Sequence, residues 1–249
     1  TIDDIKKVVE QEGVILVHGG GKEVTKVTEQ LGKEPKFVVA PSGIKSRYTD
    51  KETSEIFTMV MSGRINKTIV QMLQKNGINA IGLSGMDGKT IEANRKKKLM
   101  IMNEKGRKQV IDGGYTGKIS NVNSDLIKTI MDKGYTPVIS PIAISEESEF
   151  LNVDGDRAAA NVAGHVKADK VLFITNVDGL LMEDKLVEKL SLEEAKEIMP
   201  KIGFGMEKKI LAATEALEMG VTEALIANGQ KENPISSAIA HNNCTVITK

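Results

Sequence analysis

The feature that most constrains this chain is an apolar run that ends in three consecutive glycines. Residues 14–17 are β-forming, His18 follows, and a helical pattern starts at Lys22 after the glycines at 19–21. A buried strand that stops at glycines and opens a helix leaves backbone N–H groups free to bind a phosphate or a carboxylate. The spacing matches neither the dinucleotide-binding nor the Walker motif, so a tight turn without a ligand is the alternative at this point.

Charge and composition argue against several classes of function. The 249 residues include 34 Lys and Arg against 34 Asp and Glu, only 3% aromatic residues and no Trp, which argues against general nucleic-acid binding. No apolar run approaches the roughly 20 residues of a membrane-spanning helix. The single Cys244 cannot form an internal disulfide, so we expect a cytoplasmic protein.

Apolar strands alternate with amphipathic helices along most of the chain. Strands are predicted at residues 14–17, 36–39, 80–83, 137–141, 171–175, 224–227 and 245–248. Helices are predicted near residues 23–31, 51–61, 66–75, 124–133, 156–165, 192–199, 206–219 and 234–240. This rhythm predicts an α/β fold, a three-layer αβα sandwich with a mostly parallel central sheet. Residues 42–50 are expected to form a polar loop, and the short alternating runs of residues 89–119 to form decorating β-hairpins.

The chain opens at a predicted helix. Thr1 is expected to cap this helix together with Asp4, and Ile2, Ile5 and Val8 share its apolar face. A parallel sheet needs a strand before such a helix, so we expect one upstream of residue 1.

Polar segments follow several of the predicted strands, at residues 18–21, 84–88, 175–179 and part of 140–152. In a parallel sheet the carboxyl ends of the strands lie at one edge, where ligands bind. We therefore expect these segments to converge on a ligand site.

Two further segments carry candidate side chains. In residues 151–159, Asn152 and Asp156 could point into one cleft, or else Asp154 or Asp156 could simply cap the following helix. In residues 203–209, a flexible loop enters a helix and places Lys209 one turn in. A solvated surface lysine is the alternative for Lys209.

Taken together, the motifs resemble the amino acid kinase family, and within it the N-acetylglutamate kinase branch, over essentially the whole chain. The motifs are VHGGG, GIKSRYTD, LNVDGDRAAA, ITNVDGLL and GFGMEKK, in the order found in that family. The resemblance implies an αβα sandwich with an acceptor lobe at residues 1–167 and an ATP-binding lobe at residues 168–249. It also implies transfer of a phosphoryl group from ATP, with Mg²⁺ bound mainly through the nucleotide, to a carboxylate. The product would be an acyl phosphate.

The resemblance implies roles for individual residues. The Gly20 and Gly21 amides would hold the anionic end of the acceptor, Arg47 would clamp a carboxylate, and Asn152 would bond the acceptor amide region. Lys209 would neutralise the transferred phosphoryl group, with Asp156 orienting the cationic side chains and not acting as a base. The implied nucleotide-facing residues are Asn176, Asp178, Gly179, Phe204, Gly205 and Met206.

The chain departs from the family pattern at two places. The family opens with a strand carrying K-x-G-G, which we expect in the upstream strand because no such motif occurs in this sequence. Many relatives carry Asp at the position of Asn176, which leaves the nucleotide contacts there less defined.

Within this branch the chain is most similar to kinases whose acceptor is aminoadipate or glutamate attached to a small acidic carrier protein. The similarity lies in residues 42–50, 95–98 and 113–119. A local basic patch on a neutral protein suits an acidic partner, although a solvated basic hairpin is the alternative. The predicted carrier-protein patch consists of Arg95, Lys96, Lys97, Lys98 and Lys118.

Two other functions remain open at this point. An N-acetyl-L-glutamate kinase of arginine biosynthesis would use the same catalytic residues as a carrier-dependent kinase of lysine and arginine biosynthesis. A non-catalytic nucleotide- or amino-acid-sensing domain would belong to another class. The resemblance also implies a homodimer that pairs through the acceptor lobe.

Overall fold

The computed structural model describes residues 2–203 and 205–249, so the predicted cap at Thr1 lies outside the described residues. The helices are α1 Ile2–Gln11, α2 Gly21–Gln30, α3 Lys51–Thr58, α4 Asn66–Lys75, α5 Ser124–Asp132, α6 Gly155–Val166, α7 Leu192–Ile198, α8 Met206–Glu218 and α9 Pro234–Ile239. The strands are β1 Leu16–Val17, β2 Phe37–Val39, β3 Lys45–Arg47, β4 Ala80–Leu83, β5 Ile91–Arg95, β6 Lys98–Met102, β7 Lys108–Asp112, β8 Gly117–Val122, β9 Thr136–Ile139, β10 Ile142–Ile144, β11 Phe150–Asn152, β12 Lys170–Thr175, β13 Leu181–Met182, β14 Lys185–Leu186, β15 Lys189–Ser191, β16 Glu223–Asn228 and β17 Cys244–Thr248.

Three sheets form the frame of the molecule. One is parallel, in the order β1-β9-β4, and a second runs β11-β10-β5-β8. The third, β12-β16-β17-β15, is parallel except for the β16–β17 pair. All strands of the first two sheets come from residues before 153, and all strands of the third come from residues after 169. The predicted mixed α/β architecture is therefore present, with hairpins β2–β3, β6–β7 and β13–β14 added to it.

Helices α6 and α8 pack against each other through small side chains. Ala160 and Ala163 on α6 and Ala212, Ala213 and Ala216 on α8 belong to one buried cluster. Alanine lets two helix backbones approach closely and has high helix propensity. This contact fixes the start of α8 relative to the start of α6, where the candidate site residues lie.

The two ends of the chain meet through a buried carboxylate. Asp4 on α1 accepts hydrogen bonds from the backbone N–H of Ile235 (2.6 Å) and of Ser236 (3.2 Å). It also accepts from the Ser236 hydroxyl. These N–H groups open α9 and have no partner within that helix, so Asp4 satisfies them from another element.

The structure differs from the sequence-based expectations at several elements. Strand β1 spans two residues and not four, because only Leu16 and Val17 pair with β9. The expected polar loop at residues 42–50 contains β3, which pairs with β2. The helices expected at 51–61 and 66–75 are joined by a π-helical segment, Met59–Ile65. Strands β10, β11 and β13–β15 were not predicted, since each spans two or three residues.

Candidate active site

The glycine turn lies where β1 leads into α2. A Cβ atom on Gly20 would be 2.1 Å from Cδ1 of Ile65, so a larger residue there would require the Ile65 side chain to move. Gly19 and Gly21 have open space where a Cβ would be. The first N–H groups of α2 lack intrahelical partners and are available to an anion.

The His18 ring contacts both the glycine turn and α4. Its Nδ1 lies 3.0 Å from the Gly19 carbonyl oxygen, and its Nε2 lies 3.2 Å from the Asn66 side-chain nitrogen. Asn66 also donates to the Val138 carbonyl at 2.9 Å. A neutral ring that donates from Nδ1 and accepts at Nε2 satisfies both contacts. Burial lowers the pKa of His18, which favours that neutral form. Sequence reasoning placed His18 only in the polar segment 18–21 and gave Asn66 no role in the site.

Arg47, at the end of β3, points back towards the glycine turn. Its Nη2 donates to Thr25 Oγ1 (2.7 Å) and to the Gly21 carbonyl (3.0 Å). Its Nη1 is buried and has no partner within the described residues. The guanidinium also lies 4.9 Å from the ring centroid of Phe37, and burial lowers the pKa of Arg47. The guanidinium is thus held in place by one nitrogen, while the other has no partner within the described residues.

Asn152, at the end of β11, lies beside two threonines. Its Nδ2 donates to Thr49 Oγ1 at 2.9 Å, and its backbone forms a bridge with Thr116. Thr116 Oγ1 is buried and has no partner within the described residues. Neither threonine was singled out from the sequence as a site residue.

A cavity of about 980 Å³ brings these groups together. Gly19 lines it, together with the four residues that the resemblance assigns to the acceptor, Gly20, Gly21, Arg47 and Asn152. The charged side chains of its lining are Lys22, Lys45, Arg47, Lys96, Lys118, Arg157 and Lys208 against Asp154, Glu215 and Glu218. Seven cations against three carboxylates leave an excess of four positive charges, which suits an anionic ligand.

Of the two carboxylates considered as helix caps, the structure selects Asp154. Asp154 Oδ1 accepts from the backbone N–H of Asp156 (3.1 Å) and of Arg157 (3.2 Å) at the start of α6. Asp156 instead accepts from Lys209 Nζ at 2.8 Å, and both side chains are largely buried, with 26% and 17% exposure. Lys209 is therefore not a solvated surface lysine.

Gly155, which precedes Asp156, lies next to the glycine turn. A Cβ on Gly155 would lie 3.7 Å from the His18 carbonyl oxygen and 3.8 Å from Gly19 Cα. A second cavity, of about 950 Å³, is lined by Gly19, Gly155, Asp156 and Lys209, and Gly19 and Gly155 also line the first cavity. Asn152 and Asp156 therefore face different cavities that meet at these two glycines.

Some of the residues predicted to contact the nucleotide lie at the carboxyl end of β12. Asp178 accepts from Asn228 Nδ2 at 2.8 Å and lies 3.4 Å from Lys231 Nζ. Asn228 and Lys231 lower the pKa of Asp178. Gly179 has φ +152°, and a Cβ there would lie 2.5 Å from the Thr245 hydroxyl oxygen. Asn176 is exposed beside them.

The other nucleotide candidates lie at the start of α8. Gly205, with φ +95°, precedes that helix, and Met206 is its first residue. Phe204 lies outside the described residues. Asn228 and Lys231 were missed in the sequence, where an Asn-Gly pair directly after the predicted strand at 224–227 is the signal that could have found them.

The predicted carrier-protein patch divides into two parts. Arg95 donates to both carboxylate oxygens of Glu149 at 3.0 Å and stacks on the Tyr115 ring at 4.0 Å. Lys97, Lys98 and Lys118 are exposed and Lys96 is half-buried, and both Lys96 and Lys118 line the first cavity. The patch thus runs from the surface into the cavity.

The described residues contain neither a metal-binding cluster nor a membrane-spanning helix. No group of three or more His, Cys, Asp or Glu side chains there has a metal-binding arrangement. None of the described helices has the length and apolar character needed to cross a bilayer.

Comparisons with known proteins agree with the fold and with the motifs. Residues 1–228 match the group described as the Amino acid kinase family. The LysW-aminoadipate/LysW-glutamate kinase of Metallosphaera sedula is 51% identical over 228 residues, which cover 91% of this chain and 87% of that protein. A protein of Nitrosopumilus maritimus, provisionally given the same name, is 83% identical over 247 residues, 99% of this chain and 92% of its own. Among solved structures, smu.665 of Streptococcus mutans matches with a TM-score of 0.79 at 23% identity, over 99% of this chain and 91% of its own, and so shares the fold.

Proposed function

The chain belongs to the amino acid kinase family, and from that premise we propose that it phosphorylates the side-chain carboxylate of aminoadipate, or of glutamate, attached to a small carrier protein. The donor is ATP and the product is an acyl phosphate. Phosphorylation of aminoadipate would place the enzyme in lysine biosynthesis, and phosphorylation of glutamate would place it in arginine biosynthesis. The names of the relatives at 51% and 83% identity support this acceptor.

The acceptor cavity supplies the positive charge that such a substrate needs. Arg47 Nη1, buried and without a partner in the described chain, binds an acceptor carboxylate. Asn152 bonds the acceptor amide, and the N–H groups at Gly20 and Gly21 bind the anionic end that receives the phosphoryl group. A carboxylate nucleophile is already ionised at neutral pH, so no general base is required.

Lys209 provides charge stabilisation during transfer. Its ammonium group, held 2.8 Å from Asp156, lies beside the junction of the two cavities at Gly19 and Gly155. Negative charge accumulates on the transferring phosphoryl group and on the leaving oxygen, and a fixed cation stabilises it without reorganising. Asp156 is a positioning residue, because it orients Lys209 and carries no proton in the reaction.

The nucleotide is proposed to bind across the carboxyl ends of β12 and β16 and the start of α8. Asn176, Asp178 and Gly179 follow β12, and Gly205 and Met206 lie at the start of α8. Mg²⁺ is proposed to enter with ATP through the phosphate oxygens, where it neutralises charge. The division into an acceptor lobe at 1–167 and an ATP lobe at 168–249 is supported by the separation of the sheets near residue 169.

The carrier protein is proposed to dock over the outer part of the basic patch. Lys97 and Lys98 are exposed there and lie next to the cavity lining. Opposite charge raises the association rate and fixes orientation. Replacing Lys97 and Lys98 together by Glu should lower kcat/KM for the carrier-linked acceptor and leave KM for ATP unchanged. An unchanged kcat/KM would exclude this surface.

A homodimer is also part of the proposal. The family resemblance supports it, and Met59 and Met72, on the helical segment from α3 to α4, are apolar side chains that are 58% and 46% exposed. Light scattering on the eluted protein should give twice the chain mass of 27.0 kDa. A monomer mass at micromolar concentration contradicts this part.

The observation that carries the function is the excess of four positive charges in a cavity that adjoins the Asp156–Lys209 pair. The test offers the protein MgATP with carrier-linked aminoadipate, carrier-linked glutamate or free N-acetylglutamate, and traps the acyl phosphate with hydroxylamine. We expect hydroxamate from the carrier-linked acceptors and little from N-acetylglutamate. The reverse preference would make the chain an N-acetylglutamate kinase, and no hydroxamate with any acceptor would favour a sensing domain.

A further inference from the structure

A chain of hydrogen bonds connects β9 to the glycine turn, and the proposed chemistry does not use it. It starts at the carbonyl oxygen of Val138, which accepts from Asn66 Nδ2 at 2.9 Å. Asn66 Nδ2 also lies 3.2 Å from His18 Nε2, and His18 Nδ1 lies 3.0 Å from the Gly19 carbonyl oxygen. Val138 and Asn66 are fully buried, so the chain begins in the core of the parallel sheet and ends at the turn.

The direction of each bond in this chain is fixed by the groups at its beginning. A carbonyl oxygen can only accept, so the Asn66 atom that contacts Val138 is the amide nitrogen. Lys67 Nζ, which can only donate, lies 3.2 Å from Asn66 Oδ1 and gives the same orientation of the amide. The amide nitrogen therefore donates to His18 Nε2. The ring proton is then on Nδ1, which donates to the Gly19 carbonyl.

The His18 ring is neutral in this arrangement. A second ring proton would lie on Nε2 and would meet the N–H group of Asn66, so that two donors would face each other. Burial also lowers the pKa of His18, which favours the neutral form at neutral pH. The neutral ring has a single donor, and the Gly19 carbonyl oxygen is its partner.

The Gly19 carbonyl belongs to the same peptide group as the Gly20 N–H. In a planar trans peptide the C=O and N–H bonds point in opposite directions. A peptide with glycine on both sides rotates at little steric cost, because neither residue has a Cβ atom, so its orientation depends on what binds the carbonyl. The His18 ring holds the oxygen on its own side and thereby directs the Gly20 N–H to the opposite side. In agreement, His18 lines the second cavity and Gly20 lines the first.

We propose that His18 and Asn66 are positioning residues, which hold the Gly19–Gly20 peptide so that the Gly20 N–H faces the acceptor carboxylate. The inference rests on the proposed function, because the Gly20 N–H is assigned there to the anionic end of the acceptor. Each of the two residues acts through the turn and not by contact with the acceptor. A donor that is held in its binding orientation needs no reorganisation when the acceptor reacts.

Two substitutions of His18 separate the hydrogen bond from the ring. The amide nitrogen of His18→Asn takes the position of Nδ1 and can donate to the Gly19 carbonyl, whereas His18→Leu cannot donate. We expect kcat/KM for the carrier-linked acceptor to fall about 10- to 100-fold in His18→Leu and to stay within about fivefold of the parent in His18→Asn, with KM for ATP unchanged within about twofold in both. The control is His165→Leu, because His165 also contacts a backbone carbonyl, 2.8 Å from that of Asn161, but in the last turn of α6. It should keep kcat/KM within about twofold.

Nitrogen NMR on histidine-labelled protein tests the chain of hydrogen bonds without turnover. The chain has three histidines, so the His18 signals are identified by their loss in His18→Leu. We expect the His18 proton on Nδ1 at pH 7, and a mixture of the two tautomers in Asn66→Ala. Saturating N-acetyl-L-2-aminoadipate should move the Gly20 amide proton downfield in the parent and in His18→Asn, the direction of a new hydrogen bond to a carboxylate. The shift should be less than half as large in His18→Leu.

The outcomes separate this inference from the proposed function. Carrier-linked acceptors that His18→Leu phosphorylates within threefold of the parent, or an equal loss in His18→Asn and His18→Leu, overturn the positioning role and leave the function intact. A proton on Nε2, or no shift of the Gly20 amide in the parent, also overturns it. A Gly20 shift that depends on His18 supports the role even if no acceptor is phosphorylated. Circular dichroism and mass spectrometry confirm that each variant is folded and that the Asn-Gly pair of His18→Asn has not deamidated.

Discussion

Replacing Arg47 tests how the acceptor is held, because the two terminal nitrogens of its guanidinium differ in their contacts. Nη2 is fixed by Thr25 and Gly21, whereas Nη1 is buried and without a partner in the described chain. Arg47→Lys keeps the charge and removes the fork, which forfeits about one charge-assisted hydrogen bond of roughly 1.5–3 kcal/mol. The expected loss in kcat/KM for the acceptor is about 10- to 150-fold. Arg47→Ala also removes the charge and should cost about 2–5 kcal/mol.

The assay is the initial rate of hydroxamate formation as the carrier-linked acceptor is varied at saturating ATP. The kcat/KM for the acceptor should fall, whereas the KM for ATP should stay within about twofold of the parent value. Arg64→Ala is the control: this arginine is 57% exposed, pairs with Glu23 at 3.0 Å, and should change kcat/KM by less than about fivefold. A folded Arg47→Lys variant with kcat/KM within twofold of the parent would refute the assignment.

Three further predictions follow from other contacts. Lys209→Met should lower kcat about 100- to 1,000-fold, the effect of losing one fixed charge-stabilising donor, with KM for the acceptor little changed; a loss below tenfold would exclude the role. Asp4→Ala should destabilise the protein by about 1–3 kcal/mol in urea unfolding, because α9 loses the acceptor for its first N–H groups. Asp4→Asn keeps one acceptor oxygen and should reduce the free energy of unfolding by less. Equal stability of Asp4→Ala and the parent would contradict this cap. Burial lowers the pKa of His18, so the unfolded chain binds a proton that the folded protein resists, and stability should fall as the pH drops below the ordinary histidine value of about 6.5. Urea titrations at pH 7.5 and 5.5 should show a smaller pH effect in His18→Gln, and an undiminished effect would point to other groups.

The sequence predicted the elements that are long or strongly periodic. Strand β4 has the predicted bounds, 80–83, and α6 and α8 start within one residue of their predicted first residues. These elements bury apolar side chains at regular spacing, so their pattern is local. Strands β10, β11 and β13–β15 span two or three residues each, too few to form a pattern, and β10 and β15 also pair with strands far away in sequence.

The candidate site shows the same division. Family motifs pointed to Gly20, Arg47 and Asn152, and these residues line one cavity. Two further motifs pointed to Asp156 and Lys209, which are 53 residues apart in sequence and form an ion pair. The residues that the sequence analysis missed, such as Asn66 and Asn228, reach the site through contacts with residues far away in sequence. Thr116 follows a glycine-rich turn, and only the structure shows that its hydroxyl is buried and has no partner among the described residues.

The most direct test of the central claim is a crystal structure with a non-hydrolysable ATP analogue and an N-acylated aminoadipate. The account predicts that the acceptor's side-chain carboxylate lies at the N-terminus of α2, in line with the terminal phosphate, with Lys209 Nζ within hydrogen-bond distance of that phosphate. Arg47 Nη1 and Asn152 should contact the rest of the acceptor. An acceptor bound away from the glycine turn, or a terminal phosphate that Lys209 does not contact, would contradict the account.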